Sequence, residues 1–450
     1  MKRMRRIALI WILLSCGISI MWGLFIGKTS PNGIGDFKGV YYAARCMLQH
    51  SDPYREGEPL RLYEAEQGRL SPASDTLRQA LVLTVYLPTT FVFVAPFAML
   101  SLGSAHLLWV VVTAGSLILA AFLMWNLGAN YAPVISGALI CVVLANSEVL
   151  FAFCNPAGIV VSLCLVAAWC FLKARFVPAG ILCMAISLAI KPHDAGLVWL
   201  FFLLAGGACR KRALQTALVF AVLCVPAILW VYQISPNWIE ELHSNLSAIS
   251  AHGSVNDPGL VSVTGPLSGL VIDLQSVLSV FRDEPRFYNP LTYLICGVLL
   301  LVWLVRALRM RFSQSGAWLA LAAVVPLTLL VTYHRPYDAK LLLLTVPACA
   351  LLWAEGGLTG WIALVVNGAG IVLTSDIPAA VLLIFAKNLH ISPAGLSGKI
   401  MTVVLVQPAP LILLAMGIFY LWVYTRRDSN GAAAGEPGEQ KETPLAPTAA

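Results

Sequence analysis

The stretch MKRMRRIALIWILLSCGISIMWGLFI, residues 1–26, places Lys2, Arg3, Arg5 and Arg6 directly before a mainly apolar run from Ile7 to Ile26. A membrane-crossing helix needs about 20 such residues, so this opening predicts an anchor with its basic end on the cytoplasmic side. It resembles a secretion signal, but no small-residue cleavage pattern follows and its length suits an uncleaved helix. The rest of the 450-residue chain agrees. It is 59% hydrophobic and only 11% charged, with a mean hydropathy of +0.81. Soluble chains carry about a quarter charged residues, so soluble enzymes, secreted scaffolds and disordered proteins are excluded together. Most of the 11 cysteines lie in or beside apolar runs, where cysteine acts as a small hydrophobe. No CxxC pair or His/Cys ligand spacing appears, so no metal ligands and no cofactor are assigned. The net charge of +7 has its meaning in topology and not in nucleic-acid binding.

Further apolar runs lie near 85–100, 104–126, 132–151, 156–172, 177–190, 195–208, 213–233, 291–306, 315–332, 340–354, 358–374 and 400–424. Segment 378–386 is too short to span and reads as re-entrant or interfacial. Basic residues favour the cytoplasmic side of short loops. With the N-terminus, the clusters Lys173/Arg175, Arg210-Lys211-Arg212, Arg306/Arg309/Arg311 and Arg426-Arg427 hold 14 of the 29 Lys and Arg residues. Both ends are basic and therefore inside, which demands an even number of spans where thirteen runs exist. The run 85–100, with Pro88 and Pro96, is the one expected not to cross, since proline removes a backbone donor that lipid cannot replace. The expectation is an all-α polytopic membrane protein of about twelve spans. One transmembrane domain covers residues 1–427, and a disordered cytoplasmic tail covers 428–450. Long outer loops fall at 27–84 and 234–290.

The outer side carries the chemistry-bearing residues. Asp36 follows the turn Ser30-Pro31-Asn32-Gly33-Ile34-Gly35 and precedes a short amphipathic stretch, Gly39 to Leu48, with Tyr41 on its apolar face. That stretch suits an interfacial helix at the lipid surface, and it ends before Asp52-Pro53-Tyr54. Asp36 reads equally as a helix cap or as a functional carboxylate. Two more outer turns are dense in charge: Lys191-Pro192-His193-Asp194, and Tyr333-His334-Arg335-Pro336-Tyr337-Asp338-Ala339-Lys340. Lone lysines at a membrane boundary usually snorkel. Arg335, Lys340 and His334 together on the outer side, against the general bias, fit an anionic partner. Asn155 reaches the same face if the unresolved span falls as expected. Glu148, a carboxylate near a span end, is a further polar oddity without a role. The Asn245-Leu246-Ser247 sequon is discounted as a chance match.

Gly35-Asp36-Phe37 with Tyr41-Tyr42-Ala43-Ala44, then Asp52-Pro53-Tyr54, then Tyr86-Leu87-Pro88, resembles the opening of glycosyltransferase family 87. Asn155 before a span, Ala179-Gly180 leading to Lys191-Pro192, and His334 with Tyr337-Asp338 before a leucine-rich span extend the likeness from about 35 to 350. There are two departures. Leu87 stands where the family often has the first of two prolines, and Phe153-Cys154 where a Gly-Gln pair commonly precedes the asparagine. The resemblance implies a C-type membrane glycosyltransferase bundle, similar to polyprenyl-phosphate-mannose-dependent α-mannosyltransferases.

Such an enzyme moves a sugar, by inversion, from a polyprenyl-phosphate donor to a lipid or glycan acceptor on the extracytoplasmic face of the bacterial plasma membrane, with both termini cytoplasmic. Phosphate leaves without a general acid, so one carboxylate suffices to take the acceptor proton, and the resemblance makes Asp36 that base. Lys191, His334, Arg335 and Lys340 are the expected phosphate cations. Tyr41, Tyr54, Tyr337 and Asn155 are further expected substrate contacts. The apolar spans, in the bilayer, would cradle the prenyl tail. A lipid-linked glycan ligase or flippase is the alternative, and a secondary transporter ranks third because the charges cluster at one face.

Overall fold

In a computed structural model of the protein, residues 2–259, 271–310, 312–389, 393 and 395–431 are described. Every regular element among them is helical. The first twelve are α1 (Lys2–Thr29), α2 (Gly35–Leu48), α3 (Glu58–Gln67), α4 (Asp75–Val82), α5 (Pro88–Ala98), α6 (Leu102–Gly128), α7 (Pro133–Ala145), α8 (Glu148–Phe153), α9 (Ala157–Lys173), α10 (Val177–Ile190), α11 (Pro192–Leu204) and α12 (Gly207–Ile234). Helices Trp238–Ile249, Leu274–Phe281 and Pro285–Arg309 follow. Gln314–Val331 leads into a 3₁₀ segment, Asp338–Thr345, and five further helices complete the fold.

Seven helices among the described residues are long and apolar enough to cross a membrane. Gly357–Leu373 with Asp376–Phe385, bent by 74°, makes an eighth if taken as one broken span. The expected twelve exceeds this count for a physical reason. Prolines at or near helix starts cut several apolar runs into helices of 10–17 residues, α5, α9, α10 and α11 among them. Large apolar side chains such as Trp11, Met21, Leu107, Leu218 and Leu294 stay exposed along the long helices, where lipid would be their solvent. The core lies around Gln314–Val331, whose residues from Ala317 to Leu330 are all buried.

Helix α5 has 11 residues, only about 16 Å of rise. Both of its ends are tied to the first long loop. Tyr54 donates its hydroxyl to the carbonyl of Tyr86 (2.7 Å), while Tyr41 and Arg45 donate to the carbonyls of Leu100 (2.7 Å) and Ala98 (2.9 Å).

Two expectations need correction here. Helix α2 is not half-exposed at a lipid surface: Phe37, Val40, Tyr41, Tyr42, Ala43, Ala44 and Met47 are all buried, because α3, α4 and α5 pack around it. The last helix runs from Pro408 to Gly431, so helix continues past 427; residues 432–450 of the expected tail, like Arg311, lie outside the described residues. The discounted Asn245 sequon agrees with the structure, since its buried amide donates to the carbonyls of Tyr54 (2.9 Å) and Thr84 (3.1 Å).

Candidate active site

Helices α9, α10 and α11 each join a basic or loop end to an opposite end that bears a polar residue. Asn155 precedes α9, and Lys191 separates α10 from α11. Asn155-Pro156, Lys191-Pro192 and Arg335-Pro336 share one local cause. A residue before proline is driven out of the α region, so helix breaks there. Lys191 shows it, with φ −141° and ψ 85°. The three pre-proline side chains converge on one cavity of about 310 Å³, lined also by Asp36, Tyr86, His193, Asn256, Tyr333 and Tyr337. Apolar walls come from Leu83, Val85, Leu87, Ile190, Leu246 and Ile249.

Asp36 stands in the first turn of α2, where the helix dipole favours an anion. Its side chain does not cap that helix: the N-cap is Ile34, which makes no side-chain cap bond. Instead the Asn155 amide donates to Oδ2 of Asp36 (2.8 Å), while Oδ1 of Asn155 accepts from the backbone N–H of Ala157 (2.8 Å). Asn155 thus ties the carboxylate to the start of α9. Ile34 and Cys154 lie just before this pair in sequence, and both adopt left-handed backbone, with φ of 49° and 54°. For non-glycine residues such geometry costs on the order of 1–3 kcal/mol and clusters at functional sites. The neighbouring scaffold is close-packed. A Cβ on Gly23 of α1 would come within 2.5 Å of the Glu148 carbonyl, so α8 sits where only glycine admits it. Burial raises the Asp36 carboxyl above its ordinary value, against the opposing pull of Arg335, the Asn155 bond and Lys191.

Lys191 lies 2.6 Å from Oδ1 of Asp338 and 3.4 Å from Oδ2 of Asp194, and its ammonium sits 5.4 Å from the Tyr337 ring centroid. Burial disfavours its charge, but Asp194 and Asp338 outweigh burial and hold it above the ordinary lysine value. Asp338 also accepts from the backbone N–H of Arg335 (2.8 Å) and so shapes the turn. The Arg335 guanidinium bonds the Tyr333 hydroxyl and donates to the carbonyl of Val255 (2.9 Å), drawing the second long loop over the cavity.

Not every expected contact reaches this cavity. Lys340 is buried elsewhere, its ammonium 2.9 Å from the carbonyl of Asn146 at the end of α7. Tyr41 and Tyr54 spend their hydroxyls on the backbone of residues 100 and 86 and line no part of the cavity. His334 is fully buried behind His193, with ring centroids 5.1 Å apart. Its Nδ1 lies 2.9 Å from the carbonyl of Thr332, and its Nε2 lies 3.2 Å from Oδ1 of Asp194. Burial disfavours its charge, yet Asp194, Asp338 and the Thr332 carbonyl together outweigh burial and raise it above the ordinary histidine value. Sequence reading assigned no role to Tyr86, Tyr333, Asn256, His193, Asp194 or Asp338. Tyr86, Tyr333, His193, Asp194 and Asp338 lie in the charge-rich and aromatic turns, but nothing in their spacing pairs His193-Asp194 with His334.

The fold defines a multi-pass helical membrane protein with a carboxylate and two cations around one cavity. The chain belongs to glycosyltransferase family 87, whose family model matches residues 84–332, more than half of its length. It is therefore a membrane glycosyltransferase by family, working with a sugar donor and an acceptor. No curated protein matches it. Asn155 and Lys191 fall within the matched residues, whereas Asp36 and the turn Tyr333–Asp338 lie outside them and join the site through the fold.

Proposed function

We propose that the protein transfers a sugar, mannose by its resemblance, from a polyprenyl-phosphate donor to a lipid or glycan hydroxyl, with inversion and with Asp36 as general base. The observation that carries this reading is the shared cavity of Asp36, Asn155, Lys191 and Arg335. In this mechanism the acceptor hydroxyl loses its proton to Asp36 as its oxygen attacks the anomeric carbon. The bond from that carbon to the phosphate oxygen breaks, and its electron pair leaves with the phosphate. Lys191 and Arg335 meet the growing negative charge in a largely apolar cavity, where fixed cations act strongly. The Tyr333, Tyr337 and Tyr86 rings supply sugar-facing surface. Burial keeps the base weakly solvated, and the Asn155 amide fixes which oxygen is free.

The chain path supports twelve passes when α9, α10, α11 and the stretch Asp338–Glu355 are each counted as crossing and α5 is not. That count puts both termini inside and the cavity on the extracytoplasmic face of a bacterial plasma membrane. The apolar helices beside the cavity then suit the prenyl tail, and residues 1–427 act as one transmembrane domain.

The test is sugar transfer by purified protein in nanodiscs, with radiolabelled polyprenyl-phosphate-mannose as donor and a lipid extract of the native cells as acceptor. Wild type is expected to transfer, and Asp36→Asn to lose at least about a hundredfold, the lower range for a general base. Equal transfer by both would remove Asp36 as the base. Donor binding without any transfer would favour a lipid-linked glycan ligase or flippase.

A further inference from the structure

We propose that His193, Asp194 and His334 form a divalent-cation site in the wall of the cavity, of the two-histidine, one-carboxylate kind that suits zinc. Each offers one ligand atom, and the three atoms lie within 4.8 Å of one another. Nε2 of His334 is 3.2 Å from Oδ1 of Asp194, and Nε2 of His193 is 3.7 Å from the same oxygen. Ligands held at 2.0–2.1 Å around a tetrahedral zinc stand about 3.3 Å apart. The two spacings to Asp194 are close to that value, and all three atoms lie within 4.8 Å.

Three further observations point the same way. Asp194 and His334 are fully buried, yet both carboxylate oxygens and Nε2 lack an aligned hydrogen-bond partner. Buried polar atoms left in that state are costly. Nδ1 of His334 faces the Thr332 carbonyl at 2.9 Å. That is the outer contact by which proteins fix a ligating imidazole, with its lone pair on the other nitrogen. His193 lines the cavity, so an ion held here meets whatever anion enters.

A proton shared between Asp194 and His334 satisfies two of the orphaned atoms, but a divalent cation satisfies those two and engages His193 as well. The opposing feature is the Lys191 ammonium, 3.4 Å from Oδ2 of Asp194. Its shorter contact to Asp338, at 2.6 Å, leaves Oδ1 of Asp194 to the ion. Charge balance fits. Asp36, Asp194 and Asp338 against Lys191 and Arg335 leave one negative charge with neutral histidines. A divalent ion turns this to one positive, which a phosphodiester donor neutralises. The ion's part in holding that phosphate rests on the transferase reading; its presence does not.

The experiment is elemental analysis of the full-length protein, purified through a tag without histidines and without chelator, followed by zinc titration against a colorimetric competitor. Wild type is expected to carry about one zinc per chain. His193→Ala, whose side chain borders the cavity, and Asp194→Asn, which keeps its shape, are each expected to weaken zinc at least about tenfold, the lower range for lost supporting groups at metal sites. Asp36→Asn is expected to lose transfer yet keep its zinc, which separates failure of the cation site from failure of the transferase reading. Thermal melting of each variant distinguishes lost metal from lost fold. Wild type without zinc and with no zinc or manganese binding at micromolar concentrations would overturn the site, leaving Asp194 and His334 as an ion pair.

Discussion

Two lysines, the part-buried Lys191 and the buried Lys340, both come from turns rich in charge, and the fold uses them in opposite ways. Lys191 is gripped by two carboxylates and still borders the cavity. Lys340 points into the packing between helices, where its ammonium meets the last carbonyl region of α7 at Asn146. A cation at a helix C-terminus satisfies orphan carbonyls and the helix dipole. Nearby, Asp376 accepts from the backbone N–H of Val149 (2.9 Å) at the start of α8. Lys340 and Asp376 therefore serve the break between α7 and α8, and Lys191 serves the cavity. Density of charge in a turn does not separate a binding group from a structural one. What separates them is whether the partner of the charge is a mobile ligand or the chain itself.

Lys191→Ala gives the sharpest test of that contrast. It is expected to lower transfer by about a hundredfold or more, the scale of removing one preorganised charge-stabilising group, with the donor assay above as readout. Full turnover would break the contrast and put Lys191 beside Lys340 as structure. The pH profile comes next. Asp36 must be deprotonated to act, and burial lifts its carboxyl above the ordinary value, which is about 3.9 in model peptides. Transfer is expected to fall as the pH drops through that raised value. The Asn155 hydrogen bond opposes the lift, so Asn155→Ala is expected to move the acid limb to higher pH. An unmoved limb would mean that a group other than Asp36 controls it.

Lys340→Met tests the other side. It is expected to cost about 2 kcal/mol of stability, the scale of a hydrogen bond from a charged group, seen as a lower melting temperature in detergent. Transfer per folded molecule is expected to stay within a few-fold of wild type, and a collapse of transfer at full stability would return Lys340 to the site. Tyr41→Phe is the smallest effect. Loss of its bond to the Leu100 carbonyl is expected to cost about 1 kcal/mol, read by the same melt, with transfer unchanged.

The sequence by itself determined the membrane class. Charge too sparse for water, apolar runs of spanning length and basic clusters at alternate boundaries are local properties, and each reports directly on solvent. It also marked Asp36, Asn155, Lys191, Arg335 and Tyr337 of the cavity. Asn155, Lys191 and Arg335 each precede a proline, and the backbone restriction that ends the helix there is written in two adjacent residues. The tertiary structure decided the pairings. Asp36 meets Asn155, Lys191 meets Asp338, and His334 meets His193 and Asp194 across more than a hundred residues of chain, where no periodicity carries information. It also decided which tyrosines and lysines look inward, since Tyr41, Tyr54 and Lys340 differ from Tyr337 and Lys191 by the backbone carbonyl that packing brings within reach. The number of crossings depends on both, because a helix shortened by proline counts as a span only when its neighbours satisfy the backbone groups that lipid leaves bare.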